Sequence, residues 1–160
     1  MADSLIIPSS VAAQRRAAIA QQQRGHGIGK MLHDEDPALK IYRQVGMTKP
    51  GVLPGFHLHG NRILVGIYER PQRTASGIVL SDQTRREDEH QGKAAMVLML
   101  GHSAFKTDSL FDFGPDIVEP GDWISLWVSD GRKIVINGAM CRIIRDQDVN
   151  MRIPAPDAVY

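Results

Sequence analysis

The chain changes character near residue 61. From Arg62 onward the large apolar residues gather into short runs, Ile63–Tyr68, Ile78–Leu80, Ala94–Leu100, Trp123–Val128, Lys133–Ile136 and Ala139–Ile144. Each run is rich in Ile, Val, Leu or Met, is too short for a helix, and ends near Gly, Pro, Asn, Asp or Ser, which is the pattern of β-strands separated by turns. Two boundaries carry a physical reason to turn. Asn137-Gly138 supplies two residues that tolerate positive φ, as a type I′ hairpin turn requires. Pro120-Gly121 fills the two central positions of a turn within Val118–Asp122. Several short strands over about a hundred residues predict an all-β domain over residues 61–160, built as a small β-barrel.

Before residue 61 no such pattern exists, and residues 1–60 read as an N-terminal arm. Ser10 is placed to cap a helix over about 11–24, rich in Ala, Gln and Arg, with Gly25 as its stop. Only Val11 and Ile19 are large apolar residues there, and a lone helix of this length is marginal in water. Val11 and Ile19 are therefore candidate contacts with whatever the helix docks on. Recurrent Gly and Pro over residues 25–60 predict an extended strap without a core of its own.

Charge and composition narrow the function. Nineteen Lys and Arg against eighteen Asp and Glu leave a formal charge of +1, too balanced to hold a nucleic-acid backbone by bulk electrostatics. No apolar run approaches the roughly 20 residues that span a bilayer, and Asp3 stands where a signal peptide would be basic, so a soluble, unexported chain is expected. The single Cys141 excludes an internal disulfide and a cysteine-rich zinc site, in keeping with a reducing cytoplasm. Alternation along Ala139–Ile144 puts Arg142 on the face opposite Cys141 and predicts a buried, inert thiol.

No motif supplies catalysis. Gly25-His-Gly-Ile-Gly-Lys30 lacks both the first Gly and the hydroxyl of a phosphate loop, since Arg24 and Met31 stand at those positions. His57 and His59, with His33 or His26, have no acidic or thiol neighbour to complete a metal set. His102-Ser103 has no nucleophile elbow. The expectation is a non-enzyme without metal or cofactor. Two other features point to partners. Ile78, Val79 and Leu80 form an apolar triplet inside a long polar stretch, and burying three such side chains releases roughly 4 to 9 kcal/mol before the cost of ordering the loop. Phe105, Phe111 and Phe113, three of the four phenylalanines, crowd into residues 102–116, either as a lid over one end of the barrel or as a contact patch.

Asn61-Arg-Ile-Leu-Val65, Ser76-Gly-Ile-Val-Leu80, Gly92–Gly101, Val118-Glu-Pro-Gly-Asp122 and Asp146-x-Asp148-Val149 resemble, in order and spacing, the GroES co-chaperonin family over residues 61 to about 153. The resemblance implies a partly open β-barrel whose subunits form a ring. It also implies that Ile78, Val79 and Leu80 lie on a mobile loop that docks on a chaperonin rim. Phe111-x-Phe-Gly-Pro115 followed by Pro-Gly-Asp-Trp123 is more similar to GroES-like proteins encoded by tailed bacteriophages. The sixty residues before Asn61 depart from the bacterial form, which begins almost directly with its first strand.

Two functions follow from these features. The first is a structural protein of a tailed-phage virion, a capsid decoration or cement protein assembled in the host cytoplasm, with the arm laid over neighbouring subunits and the triplet buried against the barrel or a neighbour. The alternative is a phage-encoded co-chaperonin that caps a host chaperonin in the cytoplasm and assists folding of capsid protein. Both readings expect a homo-oligomer, with no specific nucleic acid and no membrane among its partners.

Overall fold

Gly66, the last residue but one of the first strand, lies against Ile41. In the computed structural model, which describes residues 33, 35–71, 77–79, 81–83, 86–87, 93–107 and 110–159, six strands form one sheet. They are β1 (Arg62–Ile67), β2 (Ala94–Leu100), β3 (Trp123–Ser125), β4 (Arg132–Ile136), β5 (Ala139–Arg145) and β6 (Met151–Ile153). The order across the sheet is β4-β5-β1-β2-β3-β6, and every neighbouring pair is antiparallel. β4 and β6 are the two edges, so the sheet curls without closing, as a small all-β, partly open barrel does.

The turn chemistry works as the residues dictate. Ile136 pairs with Ala139, leaving Asn137 and Gly138 as a two-residue turn with φ of 49° and 82°. These positive values are the type I′ geometry whose twist matches the flanking strands. Glu119–Asp122 closes through the Asp122 amide donating to the Glu119 carbonyl at 3.0 Å. A register shift between Leu64 and Val65 bends β1 against β2.

Both faces of the sheet are buried. On one face Leu64, Tyr68, Met96, Leu98, Trp123 and Cys141 form a first core. On the other, Ile63, Val65, Ile67, Val97, Ile124 and Ile144 pack with Val118 and Leu126 into a second. The first core is completed by residues from before the sheet. Helix α1 (Pro37–Val45) buries Ala38, Ile41, Tyr42 and Val45, one stripe at helical spacing, and Met47 and Leu53 follow it into the same cluster. Its ends are well marked: the Asp36 carboxylate accepts from the Ala38 amide at 2.8 Å, Pro37 opens the first turn, and Gly46 stops it in the left-handed conformation at φ 87°.

Three sequence expectations are corrected here. The strap expected over residues 25–60 is helical at Pro37–Val45 and contributes core, because the stripe of α1 covers apolar surface that the open sheet leaves bare. Ile78 and Val79 lie outside the six strands and are exposed. The run Trp123–Val128 is a strand only to Ser125, beyond which Trp127 and Val128 are exposed on a loop. The helix expected over 11–24, with Val11 and Ile19, lies outside the described residues, as does Leu80.

Cys141 is buried, and desolvation pushes its thiol up to about 11, which keeps it protonated and inert at neutral pH. Arg142 faces the opposite side, as alternation predicts, yet is also fully buried. Its Nη1 donates to the carbonyls of Trp127 and Val128 at 3.2 and 3.1 Å, tying the loop after β3 back to β5.

The close approach of α1 to β1 is testable. A Cβ on Gly66 would stand 2.5 Å from Cγ2 of Ile41. Gly66→Val is expected to cost about 1–3 kcal/mol through overpacking, and Ile41→Ala about 2–5 kcal/mol through the cavity it leaves. The double variant should be less destabilised than the sum, since each change relieves the other. Denaturant unfolding of the three variants reads this directly.

Candidate functional site

With both cores satisfied, the apolar residues left in water stand out. The chain leaves the sheet after Tyr68, whose amide still donates to the Ala94 carbonyl at 3.0 Å, and returns at Lys93. Within that excursion Ile78 is 62% and Val79 56% exposed, and neither belongs to a core cluster. Side chains of this size forgo about 1.5–3 kcal/mol each by staying in water, which a partner surface would recover. The third member of the triplet, Leu80, falls outside the described residues.

A second surface is built around the aromatic loop between β2 and β3. Phe105 and Phe113 meet edge to face with centroids 5.4 Å apart, and Phe111 stacks on Phe113 at 6.3 Å. Phe105 is half-buried against the second core at φ 57°, a conformation uncommon for a bulky residue. Asp146 holds it there: the buried carboxylate accepts from the Phe105 amide at 3.1 Å, from Asn61 Nδ2 at 2.9 Å and from the Gln147 amide at 2.9 Å. Asp112 accepts from the Gly114 amide at 2.9 Å and shapes the tip. Arg152 on β6 donates through Nη2 to Asp116 at 2.6 Å, and its Nη1 lies 3.9 Å from Asp122. Between this loop and residues 146–152 lies an open cavity of about 560 Å³.

Lid and contact patch are thus both present in the loop. Phe105 packs inward as a lid would, whereas Phe111 is exposed beside Leu110. Sequence reading found the phenylalanines but missed Asp146 as their anchor and Arg152 as the opposite wall. Trp127, Val128 and Val135 are exposed as well, and little in the local pattern marks them. Only Val135 was legible there, as the outward residue alternating with buried Ile136.

Among the described residues the histidines do not converge, and His26 lies outside them. His57 and His59 are exposed, and His102 Nδ1 accepts from the Gly60 amide at 3.3 Å. His33 Nε2 lies 3.1 Å from Asp157 and 3.3 Å from the hydroxyl of Tyr68, which also donates to Asp157. Among the described residues no group of three or more His, Cys, Asp or Glu is placed to hold a metal ion.

The six-stranded open barrel with a long excursion between β1 and β2 defines a small all-β class. Residues 56–153, more than half of the chain, match the family model described as Chaperonin 10 Kd subunit, and the chain belongs to that family. No curated protein matches it.

Asp146→Ala should cost about 1–3 kcal/mol, because three partly buried hydrogen bonds lose their acceptor together. Asp146→Asn, which keeps one oxygen, should cost less. Thermal melts rank the variants, and a neutral Asp146→Ala would remove Asp146 as the anchor of the aromatic wall.

Proposed function

We propose that this chain is a subunit of a ring-forming co-chaperonin, docking on a chaperonin through Ile78, Val79 and Leu80. The observation that supports this reading best is the exposure of Ile78 and Val79 on the excursion between β1 and β2, away from both cores. Such a triplet is a weak ligand alone, and its repetition around a ring turns weak docking into avid docking. Closing a chaperonin chamber is a task of fit and affinity that needs no catalytic group. The family match over residues 56–153 points the same way. The chain would act in the cytoplasm of a host cell, as a homo-oligomer.

The virion reading stands second, and what favours it is the part of the chain outside the family match. Residues 1–55 precede that match, and Phe111-x-Phe-Gly-Pro115 resembles the phage-encoded branch. As a decoration or cement protein the chain would use its arm, with Val11 and Ile19, and the exposed Phe111 against neighbouring subunits. Burial of the triplet against the chain's own barrel is not part of this reading, given the exposure of Ile78 and Val79.

Replacing Ile78, Val79 and Leu80 together by Ser separates the two. The co-chaperonin reading expects the parent chain to form an ATP-dependent complex with a purified chaperonin and to alter its ATPase rate. The triple variant should lose both while its melting temperature stays within a few degrees, since exposed residues contribute little to folding. A parent chain that ignores the chaperonin but is abundant in purified virions by mass spectrometry would establish the structural role instead.

A further inference from the structure

We propose that the outer edge of β4 docks an extended acidic segment of a partner protein, which joins the sheet as one more strand. Ile136 and Ala139 close a two-residue hairpin, so the backbone groups of Arg132, Ile134 and Ile136 turn inward to β5. Those of Lys133 and Val135 therefore point away from β5, on the side where the sheet has no further strand. Such an edge, with donors and acceptors in a row, is a template for another strand.

Apolar contacts for that strand lie beside the edge. Val135 and Lys133 share a face with their cross-strand partners Met140 and Arg142. The Arg142 guanidinium reaches the carbonyls of Trp127 and Val128, which places those two residues beside the same face. Trp127, Val128 and Val135 are each more than half exposed.

Charge selects the strand. From Gly131 to Arg145 the hairpin holds Arg132, Lys133, Arg142 and Arg145 and no Asp or Glu. Arg142 is engaged by the two carbonyls, and Arg145 lies 3.7 Å from Asp148. Asp130, in the turn before β4, accepts from the Trp127 amide at 2.7 Å. Against it stand Arg132 and Lys133, both exposed and in no ion pair among the described residues. A second copy of this chain is the wrong partner, because pairing β4 with β4 sets Arg132 and Lys133 of both chains on one short ribbon. The fitting strand is antiparallel and reads apolar, apolar, acidic, acidic across Val135, Ile134, Lys133 and Arg132, so that each cation gains an opposite charge.

Peptide binding to the full-length chain tests this edge. The probe is a fluorophore-labelled strand, Ser-Thr-Val-Ile-Glu-Glu-Thr-Ser, and its control carries Lys-Lys in place of Glu-Glu. Fluorescence anisotropy should show the acidic strand binding about tenfold tighter than the control. The double variant Arg132→Glu, Lys133→Glu should invert that order, and since both positions are exposed it keeps the fold. N-methylation of the Val and first Glu of the probe, whose amides would face β4, should abolish binding, whereas N-methylation of its Ile should not. In the complex, hydrogen exchange read by NMR should slow at the amides of Lys133 and Val135, while those of Ile134 and Ile136 are already protected by β5. The acidic preference, its inversion and the new protection at those two amides together support the proposal. No measurable binding, equal affinity for the two peptides, an order that the double variant does not invert, or binding without protection at Lys133 and Val135 overturns it. The assay contains no chaperonin, so its outcome is independent of the capping function.

Discussion

Ile41 of α1 rests on β1 where Gly66 has no side chain, and the rest of the fold depends on that contact. An antiparallel sheet of six strands has two faces, and one left bare would expose Leu64, Met96, Leu98 and Trp123 to water. Proteins of this size cannot leave such a face open and remain stable and soluble. The second face is covered by the sheet's own curl and by the segment around Val118 and Leu126. The first needs α1, and α1 can approach closely only because position 66 is a glycine.

Once both faces are closed, an exposed large apolar side chain no longer serves the interior. Ile78, Val79, Leu110, Phe111 and Trp127 are among the large apolar residues left in water, with Leu39, Phe56, Val135 and Met151. Their surroundings also differ. Ile78 and Val79 lie on the excursion between β1 and β2 and belong to neither core cluster. Phe105 and Phe113 sit on a loop pinned by Asp146 and Arg152, suited to a surface formed in advance.

Much of the sheet was legible because its strands are short, apolar and punctuated by turn residues with defined geometry, Asn137-Gly138 above all. Trp123–Val128 was read too long, since composition does not show where the ladder stops and the loop tied by Arg142 begins. α1 was missed although its signals were present: Asp36-Pro37 at the start, Ala38, Ile41, Tyr42 and Val45 on one stripe, Gly46 at the end. The surrounding Gly and Pro residues outweighed a pattern only nine residues long. Of the candidate site, the triplet and the phenylalanines could be picked out as apolar groups in polar surroundings. Asp146 and Arg152 could not, because their roles come from long-range contacts with Phe105, Asn61 and Asp116 that no local pattern encodes.

In the co-chaperonin reading the apolar triplet of this chain meets a chaperonin rim as part of a ring. Electron microscopy of the chain mixed with a purified chaperonin and ATP tests it most directly. A closed ring of identical subunits should be seated on one end of the chaperonin, with the density of residues 77–80 of each subunit at the contact. A chain that stays apart from the chaperonin, or that touches it through any other part of the barrel, would contradict the account.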